Sequence, residues 1–460
     1  MKRYKKLLIL LGVLLVVCGA TVLVSRVEEK KENIRTAGET ILAVDPETVD
    51  SLSWKFEETE LSFHKEEDGS WVYDADAAFP VDEEKIAGML ETFRAFTAAF
   101  VIEDVEDYGQ YGLTEPQCTV TFTAGEDRYT VKLGDYSKMD SQRYASLDDG
   151  RAYLMKEDPL ETFQAELPEV VKNDEIPQFG KPRKVSVSGV DSYEFTRFEE
   201  ENGKSYCAED IYFTSDGRAL DTGRVENYLS ALENLNLGEY VTYNVTEEGL
   251  KDYGLDAPEL TLTVDYDKDS GEAATFTLAL SRDPVEDDSS ETFTAYLRIG
   301  ESQLVYKLEK SDYKALMAAS YDDLRHQELL SAGFADITRM DMVLDGERYF
   351  ITSEGEGDEK KWYFGEQEID ISELRSAMAN LTAEDFTEEA PTQKQEAALT
   401  VHLANETFPE VELGLYRYDG DNCIATLDGQ PLCFIGRVYV VDLQEAINRI
   451  VMGSVNVEAE

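Results

Sequence analysis

The phrase Tyr-Gly-Leu-x-x-Pro occurs twice in this chain, in the stretches DYGQYGLTEPQ (107–117) and LKDYGLDAPEL (250–260). Glycine adopts left-handed backbone conformations at little steric cost and commonly ends helices in this way. Proline cannot continue a helix and favours an extended chain before it. We therefore predict that Gly112 and Gly254 each end a short helix and that Pro116 and Pro258 lead into a strand. The leucine after each glycine is predicted to pack on the last helical turn, as the pairs Leu113 with Tyr108 and Leu255 with Leu250.

The residues around the two phrases match as well when one phrase is shifted onto the other. The segments that follow, 118–122 and 260–264, both alternate β-prone residues, which is typical of strands. Upstream, Asp104 aligns with Thr246, and we predict that each accepts a hydrogen bond from a free N–H group at a helix start. The two stretches are therefore interpreted as copies of one unit.

A capped amphipathic helix is predicted three times. Apolar residues recur four, seven, eight and eleven positions after Asp82, Asp221 and Asp370. Residues at these offsets share one helix face, and aspartate is a good N-terminal cap. An aromatic strand precedes each helix, at 70–73, 211–213 and 361–364. The three stripes are Ile86, Met89, Leu90 and Phe93; Val225, Tyr228, Leu229 and Leu232; and Leu374, Ala377, Met378 and Leu381.

Each copy continues with predicted strands and a short closing helix. The predicted strands are 129–133, 143–146 and 152–155; 276–280, 294–299 and 304–308; and 411–416, 423–427 and 438–441. The predicted closing helices are 159–163, 311–318 and 443–450. The third copy is degenerate, because Glu389-Ala390-Pro391 keeps the proline but lacks Tyr-Gly-Leu. We predict an α+β fold of three tandem related units, each an antiparallel sheet with one or two packed helices, at 46–180, 181–332 and 333–453.

The N-terminus is predicted to be a membrane anchor. Residues 7–24 contain no charged side chain. This uncharged run has about the length that a helix needs to cross a bilayer. The basic residues before them favour a cytoplasmic N-terminus and an extracytoplasmic chain. A cleavable signal peptide is the alternative, but no small-x-small site follows the run. We therefore predict a basic stub and transmembrane helix over 1–27, a linker over 28–45, a tail over 454–460, and a single-pass protein of the cell membrane.

Charge and cysteine content limit the classes of function. The chain has 96 acidic and 43 basic residues and a formal net charge of −53. This charge argues against nucleic acid as a partner, since phosphate binding needs a basic patch. Five cysteines without a C-x-x-C pair do not indicate a disulfide-built fold. Cys423 and Cys433 flank Asp428-Gly429 and would be able to pair across a hairpin, although separate buried thiols are the favoured interpretation.

The three histidines, His64, His326 and His402, are the residues that a catalytic or metal-binding motif would most often use. His64 and His402 lie in strand-like runs and are interpreted as ordinary sheet positions, and His326 as a solvated residue of a charged helical stretch. None belongs to a G-x-S-x-G or H-E-x-x-H motif, and the sequence has no phosphate-binding loop. Carboxylates are too numerous for any pair to indicate a general acid and base. We therefore assign no catalytic, cofactor-binding or metal-binding residue and expect no cofactor.

Calcium is the cation that the acidic segments would suit best. Asp265, Asp267 and Asp269 alternate in DYDKDSGE (265–272), yet the loop positions that need glycine and glutamate hold Ser270 and Phe276. We interpret this segment as a solvated turn, and YDGDN (418–422) in the same way. A weak cation site is the alternative for both segments.

The anchor, the acidic chain, the W-x-Y strand before an Asp-led helix and the Tyr-Gly-Leu-x-x-Pro turn together resemble a bacterial family called domain of unknown function 4340. The resemblance is best over 44–158 and extends through the second copy. Genes of that family often accompany components of an ABC transporter of the type linked to gliding motility. The resemblance implies such a partner but no activity or catalytic residue.

These features favour a non-enzymatic, membrane-anchored extracytoplasmic binding or scaffold protein, as an auxiliary component of an ABC transport complex. One alternative is an exported envelope hydrolase that uses two carboxylates, which would need a cleft holding them about 5 to 10 Å apart. The other is an envelope spacer or ligand sensor. Co-purification of a protein partner separates the first interpretation from the last.

Overall fold

The computed structural model describes residues 38–198, 204–237, 239–285, 293–344, 346–355, 357 and 360–455. The predicted anchor and residues 28–37 of the predicted linker lie outside the described residues, as do residues 456–460 of the predicted tail. None of the described helices has both the length and the apolar character for crossing a membrane. The described residues divide into two compact units: one up to Asp174 together with Gly238–Asn244, the other Glu175–Leu237 together with Val245 onward.

The described part of the chain forms three nine-stranded antiparallel sheets, one after another in sequence. The first contains β1 (Glu39–Leu42), β2 (Val49–Phe56), β3 (Thr59–Lys65), β4 (Trp71–Tyr73), β5 (Phe96–Ile102), β6 (Cys118–Ala124), β7 (Asp127–Ser137), β8 (Gln142–Ser146) and β9 (Ala152–Met155). The second contains β10 (Lys184–Gly189), β11 (Ser192–Arg197), β12 (Tyr212–Thr214), β13 (Ala219–Leu220), β14 (Tyr240–Thr242), β15 (Leu260–Asp267), β16 (Ala273–Arg282), β17 (Ala295–Ile299) and β18 (Val305–Leu308). The third contains β19 (Ile337–Leu344), β20 (Glu347–Glu354), β21 (Lys361–Phe364), β22 (Gln367–Ile369), β23 (Asp385–Phe386), β24 (Gln395–Leu403), β25 (Glu410–Arg417), β26 (Asn422–Leu427) and β27 (Gln430–Gly436).

Few helices accompany the sheets, so the predicted α+β class is confirmed with a larger share of strand. The α-helices among the described residues are α1 (Glu83–Glu91), α2 (Leu160–Phe163), α3 (Thr222–Glu233), α4 (Lys310–Met317), α5 (Tyr321–Leu324), α6 (Ser372–Ala379) and α7 (Arg437–Val455). Short 3₁₀ helices span Pro46–Thr48, Tyr108–Tyr111, Leu167–Val170, Gly249–Tyr253 and Phe334–Asp336.

All three sheets are assembled in the same way. Each sheet combines two runs of antiparallel hairpins, one early and one late in the sequence of the copy. The first strand of the early run pairs with the first strand of the late run: β2 with β6, β10 with β15 and β19 with β24. One helix of each copy, α1, α3 or α6, lies between the two runs in sequence. This shared assembly confirms that the chain contains repeated sheet units, and the degenerate third copy is one of them. The first sheet also has β1, which lies in the segment predicted as a linker and pairs with β5.

The helix caps and apolar stripes follow the sequence closely. The Asp82 carboxylate accepts hydrogen bonds from the N–H groups of Glu84 and Lys85, and the Asp221 carboxylate accepts one from Arg224. In the third copy Asp370 accepts from Ser372, but Ile371 stands at the cap position, one residue later than predicted. All twelve residues of the three predicted stripes are buried: Ile86, Met89, Leu90 and Phe93; Val225, Tyr228, Leu229 and Leu232; Leu374, Ala377, Met378 and Leu381.

The repeated phrase forms a joint between a helix and a strand, as predicted. Gly112 and Gly254 end 3₁₀ helices with φ angles of 66° and 69°. The N–H of the following leucine donates to a carbonyl five residues earlier at 3.0 Å in both copies. Both leucines are buried, and the next strands begin two residues after the prolines. Leu255 packs in one cluster with Leu250, which confirms the predicted contact in the second copy.

One predicted cap at these short helices is wrong. Thr246 accepts a hydrogen bond from the Gly249 N–H at 3.1 Å, as expected. In the first copy Asp107, and not Asp104, accepts from the Gly109 N–H at 2.8 Å. Asp104 instead has a left-handed backbone with a φ of 52°. The first copy therefore starts its short helix later than the alignment implies.

We expect Gly254→Ala to lower the free energy of unfolding by about 2 to 3 kcal/mol, because a left-handed φ and steric contact act together. A Cβ at this position would lie 2.8 Å from Ser281 Oγ and 3.0 Å from the Arg282 carbonyl oxygen. Gly271→Ala is the matched control, since Gly271 has a φ of 80° with no atom near its Cβ position. Urea denaturation should show a cost of about 1 kcal/mol there. If both alanine variants lost the same free energy of unfolding, the steric contribution proposed for Gly254 would be contradicted.

A second correction concerns the end of the third copy. Residues 438–441 were predicted as a strand, but they lie in α7. The last hairpin uses β26 and β27, with Asp428-Gly429 at the turn. Local β-branched residues favour a strand, whereas the spacing of Val440, Leu443 and Ile447 favours a helix face, and all three are buried. The apolar face therefore outweighs the local preference.

Glu259, next to the proline of the second joint, gives a pH-dependent prediction. Its carboxylate accepts hydrogen bonds from Arg282 and from the Tyr313 hydroxyl at 2.6 Å each. Partial burial acts to raise the pKa of Glu259, but these bonds outweigh it, so the pKa lies below its usual range. A depressed pKa stabilises the fold above the unfolded-state pKa, and this stabilisation is lost as the pH falls through the folded-state pKa.

We therefore expect Glu259→Gln to be less stable than the parent at pH 7 by about 1 to 3 kcal/mol, and this difference to shrink below about pH 4.5. Urea denaturation between pH 7 and pH 3 measures it. A difference that stays constant across this range would contradict the assignment. Glu272→Gln serves as a control, because Glu272 is an exposed residue paired with Lys268 four positions away.

Candidate functional site

A cluster of ionisable side chains surrounds His326 in the unit that contains Glu175–Leu237 and Val245 onward. The segment 204–210 precedes β12, Asp221 caps α3, and His326 follows α5 by two residues. These three segments bring Asp210 and Asp221 to opposite nitrogens of the His326 ring. The cluster therefore depends on residues that are far apart in sequence.

Asp210 is the buried centre of this cluster, with a residue exposure of 2%. Its Oδ1 lies 2.8 Å from His326 Nε2, and its Oδ2 accepts a hydrogen bond from the Ser205 hydroxyl at 2.7 Å. A buried carboxylate is costly unless it is paired and hydrogen-bonded. Both of its oxygens have such partners, which explains how the fold tolerates it.

The second ring nitrogen of His326 faces Asp221. The distance from Nδ1 to Asp221 Oδ2 is 3.6 Å, which is within ion-pair range but long for a hydrogen bond. Burial acts to lower the pKa of His326, but the hydrogen bond with Asp210 and the charges of Asp210 and Asp221 outweigh it. The pKa of His326 consequently lies above its usual range, which favours the protonated ring.

Cys207 adds a thiol to the same cluster. The ligand atoms of Cys207, Asp210 and His326 lie within 4.8 Å of one another, and so do those of Asp221, His326 and Glu328. Burial, helped by the negative charge of Asp210, raises the pKa of Cys207 to about 11. The thiol is therefore protonated near neutral pH in the absence of a cation.

A cavity of about 290 Å³ opens beside His326. The Arg218 guanidinium lies 3.9 Å from the Tyr321 ring centroid, and Arg325 lies 4.9 Å from the same centroid. This local group of cations stands out in a chain with a net charge of −53. The residues around the cavity include Lys204, Ser205, Tyr206, Arg218, Tyr321, Arg325, His326, Glu328 and Phe408.

The sequence interpretation is confirmed for two of the three histidines and is wrong for the third. His64 lies in β3 and pairs with Asp74, and His402 lies in β24 with its Nε2 3.4 Å from Asp341 Oδ2. Both occupy sheet positions, as predicted. The prediction for His326 is wrong, because this residue is half-buried beyond the end of α5 instead of exposed on a helix.

The two acidic segments considered for calcium form tight turns. Residues 265–272 belong to the hairpin of β15 and β16, where the Asp265 carboxylate accepts from Thr275 and Lys268 pairs with Glu272. In the segment 418–422, Asp419 accepts hydrogen bonds from the N–H groups of Asp421 and Asn422. The predicted turns are confirmed, and the weak cation site at either segment stays an untested alternative.

None of the described cysteines forms a disulfide. Cys423 is opposite Ile435 and Cys433 is opposite Ala425 in the hairpin of β26 and β27. Their strand register therefore does not place them face to face, which agrees with separate buried thiols. Burial raises the pKa of Cys433 to about 12, so this thiol is unreactive near neutral pH.

The comparisons with known proteins identify a family but no activity. A family model described as "Domain of unknown function (DUF4340)" matches residues 71–205 and 213–401. No curated protein and no solved structure matches the chain. The matched residues include α1, α3, α6 and both glycine joints, and they cover more than half of the chain. The chain therefore belongs to the DUF4340 family.

Proposed function

We propose that this protein is a non-enzymatic, membrane-anchored extracytoplasmic scaffold that binds another protein, as an auxiliary component of an ABC transport complex. The observation that supports the binding role is the repeated assembly of the three sheets, with first-strand pairs β2–β6, β10–β15 and β19–β24. The transporter as partner is proposed from the family resemblance alone. What recurs in each copy is a capped helix, an aromatic strand and an apolar stripe, all of which serve folding. Repetition of this kind multiplies surface for binding, as in other tandem-repeat proteins.

The charge of the chain indicates the chemistry of the partner. A formal net charge of −53 repels anionic lipid headgroups and nucleic acid and attracts basic protein surfaces. We propose that residues 7–24 hold the N-terminus in the membrane and that the sheets stand outside the cytoplasm. Alkaline phosphatase fused to the C-terminus should then be active, whereas a cytoplasmic reporter at the same place should not.

Affinity purification of the full-length protein in mild detergent tests the scaffold proposal. We expect transporter subunits to be recovered with the tagged protein, and the recovery to fall at high salt if charge drives the contact. An unrelated tagged single-pass protein from the same cells is the control. Repeated recovery of the protein alone would contradict the proposal and favour a spacer or sensor, and hydrolysis of envelope glycan by the purified chain would favour the enzyme alternative.

A further inference from the structure

We propose that Cys207, Asp210 and His326 bind one divalent transition-metal ion of the zinc class, with His326 coordinating through Nε2. A metal site at this position is independent of the proposed scaffold function. It rests on the donor atoms, on their spacing, and on the side chains that hold two of them in place.

The donor set is the one that zinc favours. Thiolate sulfur, imidazole nitrogen and carboxylate oxygen are the usual zinc ligands, at about 2.0 to 2.3 Å from the metal. Such bond lengths place tetrahedral ligands about 3.3 to 3.8 Å apart. The three donor atoms already lie within 4.8 Å of one another, so modest side-chain movements would bring all of them to one ion.

The ion would replace the direct contact between Asp210 and His326. Their 2.8 Å separation is that of a hydrogen bond and is shorter than the distance between two metal ligands. Coordination therefore moves the carboxylate and the ring apart by about half an ångström and releases the Nε2 proton and the Cys207 thiol proton to water. Water supplies the fourth ligand of a tetrahedral site.

The side chains of Asp221 and Ser205 contact two of the proposed ligands and orient them. Ligand histidines commonly direct the other ring nitrogen at a carboxylate, and ligand carboxylates accept further hydrogen bonds. Asp221 Oδ2 lies 3.6 Å from His326 Nδ1, while Asp221 Oδ1 caps α3, so one carboxylate serves both purposes. The Ser205 hydroxyl holds Asp210 Oδ2 at 2.7 Å. A simple ion pair between Asp210 and His326 accounts for neither Asp221 nor Cys207.

The alternative set of Asp221, His326 and Glu328 is less suitable. Glu328 is exposed, and Asp221 already accepts the helix N–H bond and lies 3.8 Å from Arg224. It also lacks a thiol. The two sets are distinguishable, because only the proposed one places a sulfur atom on the metal.

The site would fasten a loop that contacts the third sheet. The Tyr206 hydroxyl donates to Asp428, and the Asn405 side chain donates to the Ser205 carbonyl at 3.1 Å. Tyr206 also packs edge-to-face on Phe408, with 5.1 Å between the ring centroids. Metal binding at Cys207 and Asp210 therefore fixes the segment from which these contacts arise.

Cobalt(II) titration of the full-length, chelator-treated protein in mild detergent tests the proposal. We expect one equivalent of cobalt to bind with thiolate-to-cobalt charge-transfer absorption, and zinc to displace it. Cys207→Ser should remove this absorption, and His326→Gln should weaken binding by at least 100-fold. Asp221→Asn should weaken it by about 10 to 100-fold, as expected for a supporting side chain. His402→Gln is the matched control. His402 also faces two carboxylates, but it lies in β24, away from the proposed site.

The proposal is overturned if the wild-type chain takes up no stoichiometric cobalt or zinc, or if the thiolate absorption persists in Cys207→Ser. Metal uptake without charge-transfer absorption overturns it as well and favours the carboxylate set. Near-ultraviolet circular dichroism shows whether each variant is folded. If Cys207→Ser does not fold, alkylation of the wild-type protein decides: zinc should protect Cys207 from iodoacetamide in mass-spectrometric mapping, and equal labelling with and without zinc contradicts the site.

Discussion

Replacement of Phe93 by alanine is expected to lower the free energy of unfolding by about 3 to 5 kcal/mol, which is a large part of the stability of a typical domain. Phe93 has an exposure of 1% and lies two residues beyond the end of α1, as the last member of the apolar stripe. Its ring stacks on Phe122 with 4.4 Å between centroids and on Phe163 with 5.5 Å. The truncation therefore leaves a cavity between helix, sheet and closing helix, which urea denaturation of the variant measures.

The other two copies supply the matched control for this variant. Leu232 and Leu381 occupy the same place relative to Asp221 and Asp370, and both are buried. Phe93→Leu should thus cost much less, about 1 to 1.5 kcal/mol, because leucine fills most of the space and suits the equivalent position elsewhere. A cost below 1 kcal/mol for Phe93→Ala would show that the aromatic cluster is not a core of the first sheet.

Asp210→Ala is expected to destabilise the chelator-treated protein by about 3 kcal/mol. The change removes the carboxylate that is hydrogen-bonded to the half-buried His326 ring and to the Ser205 hydroxyl, and it leaves the ring only the longer 3.6 Å contact with Asp221. Removal of one member of a buried ion pair is strongly destabilising. Chelator treatment keeps any bound cation out of the comparison. Chemical denaturation followed by tryptophan fluorescence measures the change.

Two further variants separate charge from shape at this position. Asp210→Asn keeps the size and one acceptor oxygen, so we expect about half of the cost of the alanine variant. Asp322→Ala removes an exposed carboxylate that lies 3.3 Å from Arg325, and such pairs contribute less than about 1 kcal/mol. Equal effects of Asp210→Ala and Asp322→Ala would contradict a buried pair.

The features that the sequence predicts well are local. A left-handed glycine, a cap and an apolar stripe each depend on residues within about three turns of helix, so Gly112, Gly254, Asp82 and Asp221 act as expected. Three occurrences in the same order then identify the repeat even where the third copy has lost its joint. The pairing of strands within each sheet, in contrast, depends on contacts between distant segments, so no single segment of the sequence predicts it.

Local patterns also explain the errors. The β-branched run at 438–441 favours a strand by propensity, but the longer apolar spacing places it in α7. Asp104 aligns with Thr246, yet the structure uses Asp107 because the first short helix begins later. Alignment of two copies thus predicts the role of a cap better than its exact residue.

The candidate site could not be predicted because its parts are distant in sequence. His326 and Asp210 are 116 residues apart, and the aspartate comes from a different segment of the second sheet unit. With 96 acidic residues, no pattern marks Asp210 as the one that becomes buried. Cys207 gives no signal either, since it lacks a neighbouring cysteine or histidine at ligand spacing.

The pairing of first strands also determines the order in which each sheet can form during synthesis. The bond between Ser51 and Thr123 joins β2 to β6 across 72 residues of chain, with the helix and the glycine joint in between. Pairing of strands so far apart in sequence costs the entropy of closing a long loop before the new contacts stabilise the sheet. Such pairing therefore forms more slowly than a local hairpin. A nascent chain that has completed only the early hairpins therefore exposes an open strand edge, which stays uncovered until the first strand of the late run has been synthesised.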